Sequence, residues 1–254
     1  MKFWLPRTLV TTAFLGICVC LHAQSPDELL AKGYVFDLRL DASEALQYYL
    51  EAEKLQPDNA EVLVRIARQY RHLMADAATR EEKLRLGNIA LNYAKRAAAL
   101  APNNSDAQLS IAISYGKMLP LLGVRDQMEA SRIIKATVDK AIRLNPDNDL
   151  AWHVLGRWHR VLSDTSMLKR SLAALAFGGL PQTTTEEAVK CFQKAIEINP
   201  KRLIHYIELG RAYAQMNRPV EARRSIEKGL AMPDVEKDDA DTKRRGRETL
   251  AKLR

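Results

Sequence analysis

The eight residues Ala141-Ile142-Arg143-Leu144-Asn145-Pro146-Asp147-Asn148 are one helix ending and the next beginning. Proline lacks the N–H that would continue a helix, and an Asp or Asn just after it accepts from the exposed N–H groups of a new first turn. The same text returns as Ala52-Glu53-Lys54-Leu55-Gln56-Pro57-Asp58-Asn59, from Ala97 to Asn104, and as Ala195-Ile196-Glu197-Ile198-Asn199-Pro200. These prolines stand 45, 44 and 54 residues apart, so the chain is an array of helical units. Composition agrees. Of 254 residues, 47% are hydrophobic, only 6% are aromatic, and there are 11 Gly and 10 Pro, a balance that suits helix interiors and argues against a β-sandwich or barrel.

Working outward from Pro146, Trp152, Leu155, Gly156 and His159 share one face of a helix, and Ala188, Phe192, Ala195 and Pro200 mark a second. This pattern resembles the tetratricopeptide repeat (TPR), whose unit is about 34 residues. The spacings within each helix are those of the repeat, and the gap between the two helices is 20 residues longer than usual. Gly156 lets the second helix approach the first, Ala188 and Ala195 do so from the other side, and Trp152 and Phe192 are expected to fill the space between neighbouring pairs. The frame recurs with the usual gap at Gly33, Phe36, Ala45, Tyr49, Ala52 and Pro57, and at Leu209, Gly210, Tyr213, Ala222 and Gly229. It recurs with a longer gap at Ala67, Tyr70, Ala90, Ala94, Ala97 and Pro102, and at Ala112, Tyr115, Ile134, Val138, Ala141 and Pro146. The expected fold is an all-α, right-handed superhelix of about five TPR-like hairpins with elongated middle repeats over residues 24–232, closed by a capping helix and tail over 233–254.

The middle units narrow the resemblance. Trp152-His153-Val154-Leu155-Gly156-Arg157-Trp158, Leu172-Ala173-Ala174-Leu175-Ala176-Phe177-Gly178-Gly179-Leu180-Pro181 and Glu187-Ala188 are similar to the regulator of microtubule dynamics family, over roughly Asn59 to Met232. That resemblance implies helical TPR proteins without known catalysis, associated with microtubules or with mitochondrial and endoplasmic reticulum membranes, one of them binding phospholipid through its TPR domain.

In a TPR array the inner surface is lined by the first helix of each pair, at one and four residues after the small packing residue and three and six before it. Those positions hold Arg68, Arg157 and Arg211, then Arg71 and Arg160 one turn on, with His153 one turn before Arg157. Val64, Leu109, Ile113, Leu150 and Ile207 interleave. Arginines over aliphatics suit a ligand with an anionic head and an apolar body: a protein or peptide partner, with an anionic C-terminus as one form, or alternatively an anionic lipid. The competing reading is that these arginines are a solvated face or pair with acids of adjacent helices. Two apolar insertions, Lys117 to Gly123 and Met167 to Leu180, either pack as a secondary core or deepen the groove.

Nothing in the sequence points to catalysis, a metal or a cofactor. His153 and His159 are six apart rather than the four that a helical zinc pair requires, and there is no Gly-rich phosphate loop, serine elbow or paired-carboxylate motif. Cys191 beside Phe192 reads as a buried thiol. The run Lys243-Arg244-Arg245-Gly246-Arg247 lies against Asp238, Asp239 and Asp241 without aromatics, which makes a charged capping face rather than a nucleic-acid surface.

Residues 1–23 carry Lys2 and Arg7, no acid, and an unbroken run from Thr8 to Leu21 ending in Leu21-His22-Ala23, the layout of a secretory signal peptide. Cleavage there would lower the formal net charge of +8 by two, remove Cys18 and Cys20, and leave Cys191 without a disulfide partner. The expected location is therefore outside the cytoplasm, in a bacterial periplasm, with an anchor formed by residues 8–21 as the alternative.

Overall fold

The computed structural model describes residues 24–164 and 182–253, so the proposed signal segment and the insertion from Met167 to Leu180 lie outside the described residues. Among the described residues are eleven α-helices, a short 3-10 turn at Leu119–Leu121, and no strand. The helices are α1 (Pro26–Leu38), α2 (Ala42–Leu55), α3 (Ala60–Asp76), α4 (Arg80–Leu100), α5 (Ser105–Met118), α6 (Val124–Leu144), α7 (Asp149–Ser163), α8 (Thr185–Ile198), α9 (Leu203–Gln215), α10 (Pro219–Leu230) and α11 (Asp239–Leu250). They pair as α1–α2, α3–α4, α5–α6, α7–α8 and α9–α10, five stacked hairpins forming an all-α TPR-like superhelix, with α11 closing the end against α9 and α10.

The repeated boundary text has the same geometry each time. The N–H groups of Gln56, Ala101, Asn145 and Asn199 donate to the carbonyls of Ala52, Ala97, Ala141 and Ala195, each at 2.9 Å. Asn59, Asn104 and Asn148 then cap the following helices, their Oδ1 atoms accepting from the N–H groups of Glu61, Ala107 and Ala151 at 3.0, 3.0 and 3.1 Å. Each such cap contributes about 1 kcal/mol. The fourth boundary has no asparagine at the cap position: Arg202 stands at the cap of α9 without a side-chain cap bond.

Small residues set the distance within each hairpin. A Cβ at Gly33 would lie 2.5 Å from Cε1 of Tyr49, and one at Gly156 would lie 2.7 Å from Cε1 of Phe192, both closer than carbon atoms approach. Phe192 is thus first a filler of its own hairpin, although it shares a core cluster with Leu209 and Ala212 of the next. Trp152 is half-buried, and its indole N–H donates to the Pro146 carbonyl at 2.8 Å.

The extra length of the second and third units is absorbed by helix. α4 and α6 run 21 residues each, against 14 for α2. Their overhang has its own small core, in which Leu121 and Leu122 of the first insertion pack against Met74, Leu86 and Met118. Cys191 is buried, and burial pushes its thiol up to about 12.

Candidate binding groove

The first helices of successive hairpins touch in the order α3, α5, α7, α9, and their shared face carries the arginines singled out by the frame. One geometric relation repeats along this face. The residue four after a small packing residue reaches the residue two before the small residue of the next unit. From α3, the guanidinium of Arg71, four after Ala67, donates to Ser110 Oγ at 3.0 Å, two before Ala112. From α7, the guanidinium of Arg160, four after Gly156, donates to Glu208 Oε2 at 3.1 Å, two before Gly210.

The two seams differ in charge. Arg71 is buried, its other contact is the Ser114 hydroxyl at 3.2 Å, and no carboxylate among the described residues forms an ion pair with it. Burial, with Arg68 nearby, lowers its guanidinium to about 9 against a partial offset from Asp238. Glu208, 1% exposed, accepts from Arg160, from Arg211 at 2.7 Å and from Arg245 at 3.0 Å. Burial alone would raise the Glu208 carboxyl, yet Arg160, Arg157, Arg211 and Arg245 hold it far below the usual range.

The other residues expected in the groove fall in different places. Arg157 is exposed and makes no hydrogen bond or ion pair among the described residues, though its charge is felt at Lys117, Asp238 and Glu208. Arg68 is half-exposed, its Nε 3.7 Å from a carboxylate oxygen of the buried Asp37. His153 is buried, its Nδ1 3.0 Å from Nδ1 of His205, whose Nε2 is 2.9 Å from Asp149 Oδ2. The neutral tautomers that fit have His205 donating to Asp149 and His153 donating to His205. Burial, His205 and Arg157 lower His153 well below its ordinary value, so it is neutral.

Sequence reasoning passed over Glu208, Lys117, His72, His205 and the connector between α10 and α11. That connector, residues 233–238, reaches back to the ends of α3 and α5 and to the start of α9. Asp238 receives Lys117 Nζ at 2.6 and 2.5 Å, Glu236 pairs with Arg202 at 2.9 Å, Asp234 with Lys243 at 2.5 Å, and Lys237 with Asp76 at 2.8 Å. Asp239 is 1% exposed, and its Oδ2 accepts from the N–H groups of Val235 and Glu236 at 2.9 and 2.8 Å, which shapes the turn. The basic run beyond it is engaged by acids within α11 and on α9, Arg244 with Asp241 and Glu248, and Arg245 with Glu208 and Asp241. Among the described residues, no group of His, Cys, Asp and Glu is arranged to hold a metal ion.

The family model described as regulator of microtubule dynamics protein 1-3 matches residues 29–254. The chain belongs to this family. Regulator of microtubule dynamics protein 2 of Mus musculus is 27% identical over 198 residues, covering 78% of this chain and 48% of that protein. Regulator of microtubule dynamics protein 1 of the same organism is 28% identical over 211 residues, covering 82% of this chain and 68% of that protein. The chain spans about half the length of the regulator 2 proteins it matches. Among solved structures, a thermophilic TPR protein of Thermus thermophilus superposes with a TM-score of 0.65 at 18% identity, covering 89% of this chain and all of that one, which fixes the fold alone.

The family corrects the expected location. Regulators of microtubule dynamics from mouse, macaque and human are eukaryotic proteins, so the periplasmic reading drawn from residues 1–23 does not stand. A charged start followed by an apolar run describes a hydrophobic segment without specifying the membrane system that reads it, which is how the inference went astray. No helix among the described residues is long and apolar enough to cross a membrane.

Proposed function

We propose that this regulator of microtubule dynamics relative is a non-catalytic adaptor whose concave face takes an anionic protein or peptide segment. The observation that carries the reading is Arg157, an exposed cation on the inner face with no partner among the described residues, on the same row of first helices as the half-exposed Arg68 and the buried Arg71. Arg157 and Arg68 would meet the ligand directly, with Arg71 raising the local positive potential from below. Arg160 serves through Glu208 by fixing α9 against α7, Arg211 holds Glu208 from within α9, and His153 ties α7 to α9 through His205.

The test is fluorescence anisotropy with a short labelled peptide rich in Asp and Glu and ending in a free carboxylate. Arg157→Ala is expected to weaken binding roughly tenfold, the loss of one charge-assisted contact, and added salt to weaken it further. Equal binding by wild type and variant would sink the reading. Loss of binding to vesicles containing phosphatidic acid on Arg157→Ala, with no peptide binding by either protein, would replace the peptide with an anionic lipid.

A further inference from the structure

The contacts of residues 233–238 describe a segment of the chain lying where the proposed ligand would lie. The connector leaves α10 at one end of the array and reaches α5 and α3, placing Asp238 on Lys117 across 121 positions of sequence and Lys237 on Asp76. Asp238 is also within electrostatic reach of His72, Arg71 and Arg157. Burial by itself would raise its carboxyl, and Lys117 above all, with His72 and Arg157, brings it below the ordinary value.

The connector does not satisfy the face it covers. Lys117 takes both oxygens of Asp238, whereas Arg71 is left with two serine hydroxyls and Arg157 with no partner among the described residues. His72, 9% exposed, keeps a buried Nδ1 without a hydrogen-bond partner. One carboxylate therefore stands among three cations and an unfilled imidazole nitrogen. An acidic side chain able to face all of them would be held better than Asp238 is, because buried donors and charges gain most from the first partner that meets them.

We infer that residues 233–238 are a tethered acidic pseudo-ligand, and that the partner of this groove is an acidic peptide segment that displaces Asp238 from the Lys117, Arg71 and Arg157 cluster. This rests on the reading of the inner face as a binding surface and adds its occupant and its control. A tethered competitor lowers the apparent affinity of any external ligand by the fraction of molecules in which the groove is free. The affinity seen in wild type is thus the weakened one. Releasing the connector tightens binding without adding a contact.

The experiment uses the full chain and the same labelled acidic peptide with wild type, Asp238→Asn, Arg157→Ala and the double variant. Asp238 is 44% exposed at its side chain and Asn has its shape, so folding is checked by circular dichroism. Asp238→Asn is expected to bind roughly tenfold tighter than wild type, with Arg157→Ala removing the gain. If Asp238→Asn binds like wild type while Arg157→Ala weakens both, the groove stands and the pseudo-ligand is overturned. If Arg157→Ala changes nothing in either background, the groove reading itself fails and takes the inference with it. Tighter binding of Asp238→Asn to anionic vesicles but not to peptide overturns the peptide as occupant. A mutation-free measurement is hydrogen exchange in wild type: saturating peptide should speed exchange at the amides of Val235 and Glu236, and unchanged rates overturn displacement.

Discussion

The α3–α5 seam and the α7–α9 seam are the same joint built twice, with an arginine four residues past the small packing residue reaching a side chain two residues before the next one. In the second seam that side chain is Glu208, and three arginines close on it. In the first it is Ser110, and Arg71 has hydroxyls alone. The repeat frame thus decides where a cation sits, while a single residue in the neighbouring unit decides whether the cation is structural or available. A buried carboxylate turns an arginine into a strut, and a serine leaves its charge to be answered by something else.

The sharpest way to break this comparison is Glu208→Gln. Removing the buried anion that Arg160, Arg211 and Arg245 share should destabilise the fold by about 3–5 kcal/mol. Chemical denaturation would measure this, and thermal melting should show a drop of roughly 2–4 °C per kcal/mol. A loss under about 1 kcal/mol would mean that the α7–α9 seam does not depend on its charge.

A smaller effect, common to both seams, comes from acid. Burial holds His72, near the first seam, at about 3, opposed only by Asp238 and reinforced by Arg68, Arg71 and Lys117. Burial likewise holds His153 and His205, beside the second, below their ordinary values, although Asp149 counteracts this at His205. His72 is neutral when folded and has an ordinary pKa of about 6.5 when unfolded, so below that pH the unfolded chain binds the extra proton and stability falls as pH falls. At pH 5 a histidine kept neutral costs about 2 kcal/mol. His72→Asn should therefore lose about 2 kcal/mol less than wild type between about pH 7.5 and 5. Parallel stability curves would show that His72 takes up its proton without unfolding.

Ser110→Asp sharpens the comparison at the lowest cost. It places a carboxylate under Arg71 where Glu208 stands under Arg160, and should raise stability by about 1 kcal/mol while weakening acidic-peptide binding. Urea denaturation and anisotropy read the two effects separately. Lower stability together with unchanged binding would show that the seams are not equivalent.

The fold was legible because its signals are local. Pro146 with Asn148, and Gly156 facing Phe192, are decisions made within one hairpin, and the sequence displays them at fixed spacing. The groove was legible only as a row of cations. Whether Arg71 or Arg160 is neutralised depends on residues 39 and 48 positions away, at a frame position that points between helices rather than into the groove. Lys117 was read as part of an apolar insertion, and Asp238 as part of a closing face, because nothing local announces that a turn shaped by Asp239 brings them together. His153 lies on the first helix of its hairpin, but its Nδ1 is turned to His205, a partner in the following unit that no local spacing announces.

The boundary without a capping asparagine has a consequence for the order in which the array assembles. Three joints carry their own cap within three residues of the helix they start, and can close as soon as that stretch of chain exists. The joint before α9 is clasped by Arg202, which holds Asp149 at 2.7 Å on one side and Glu236 on the other. One jaw of that clasp is synthesised long before α9 and the other after α10, so the last hairpin must wait for the chain beyond it before its entry is fixed. The array zips from its beginning and is buckled at its end.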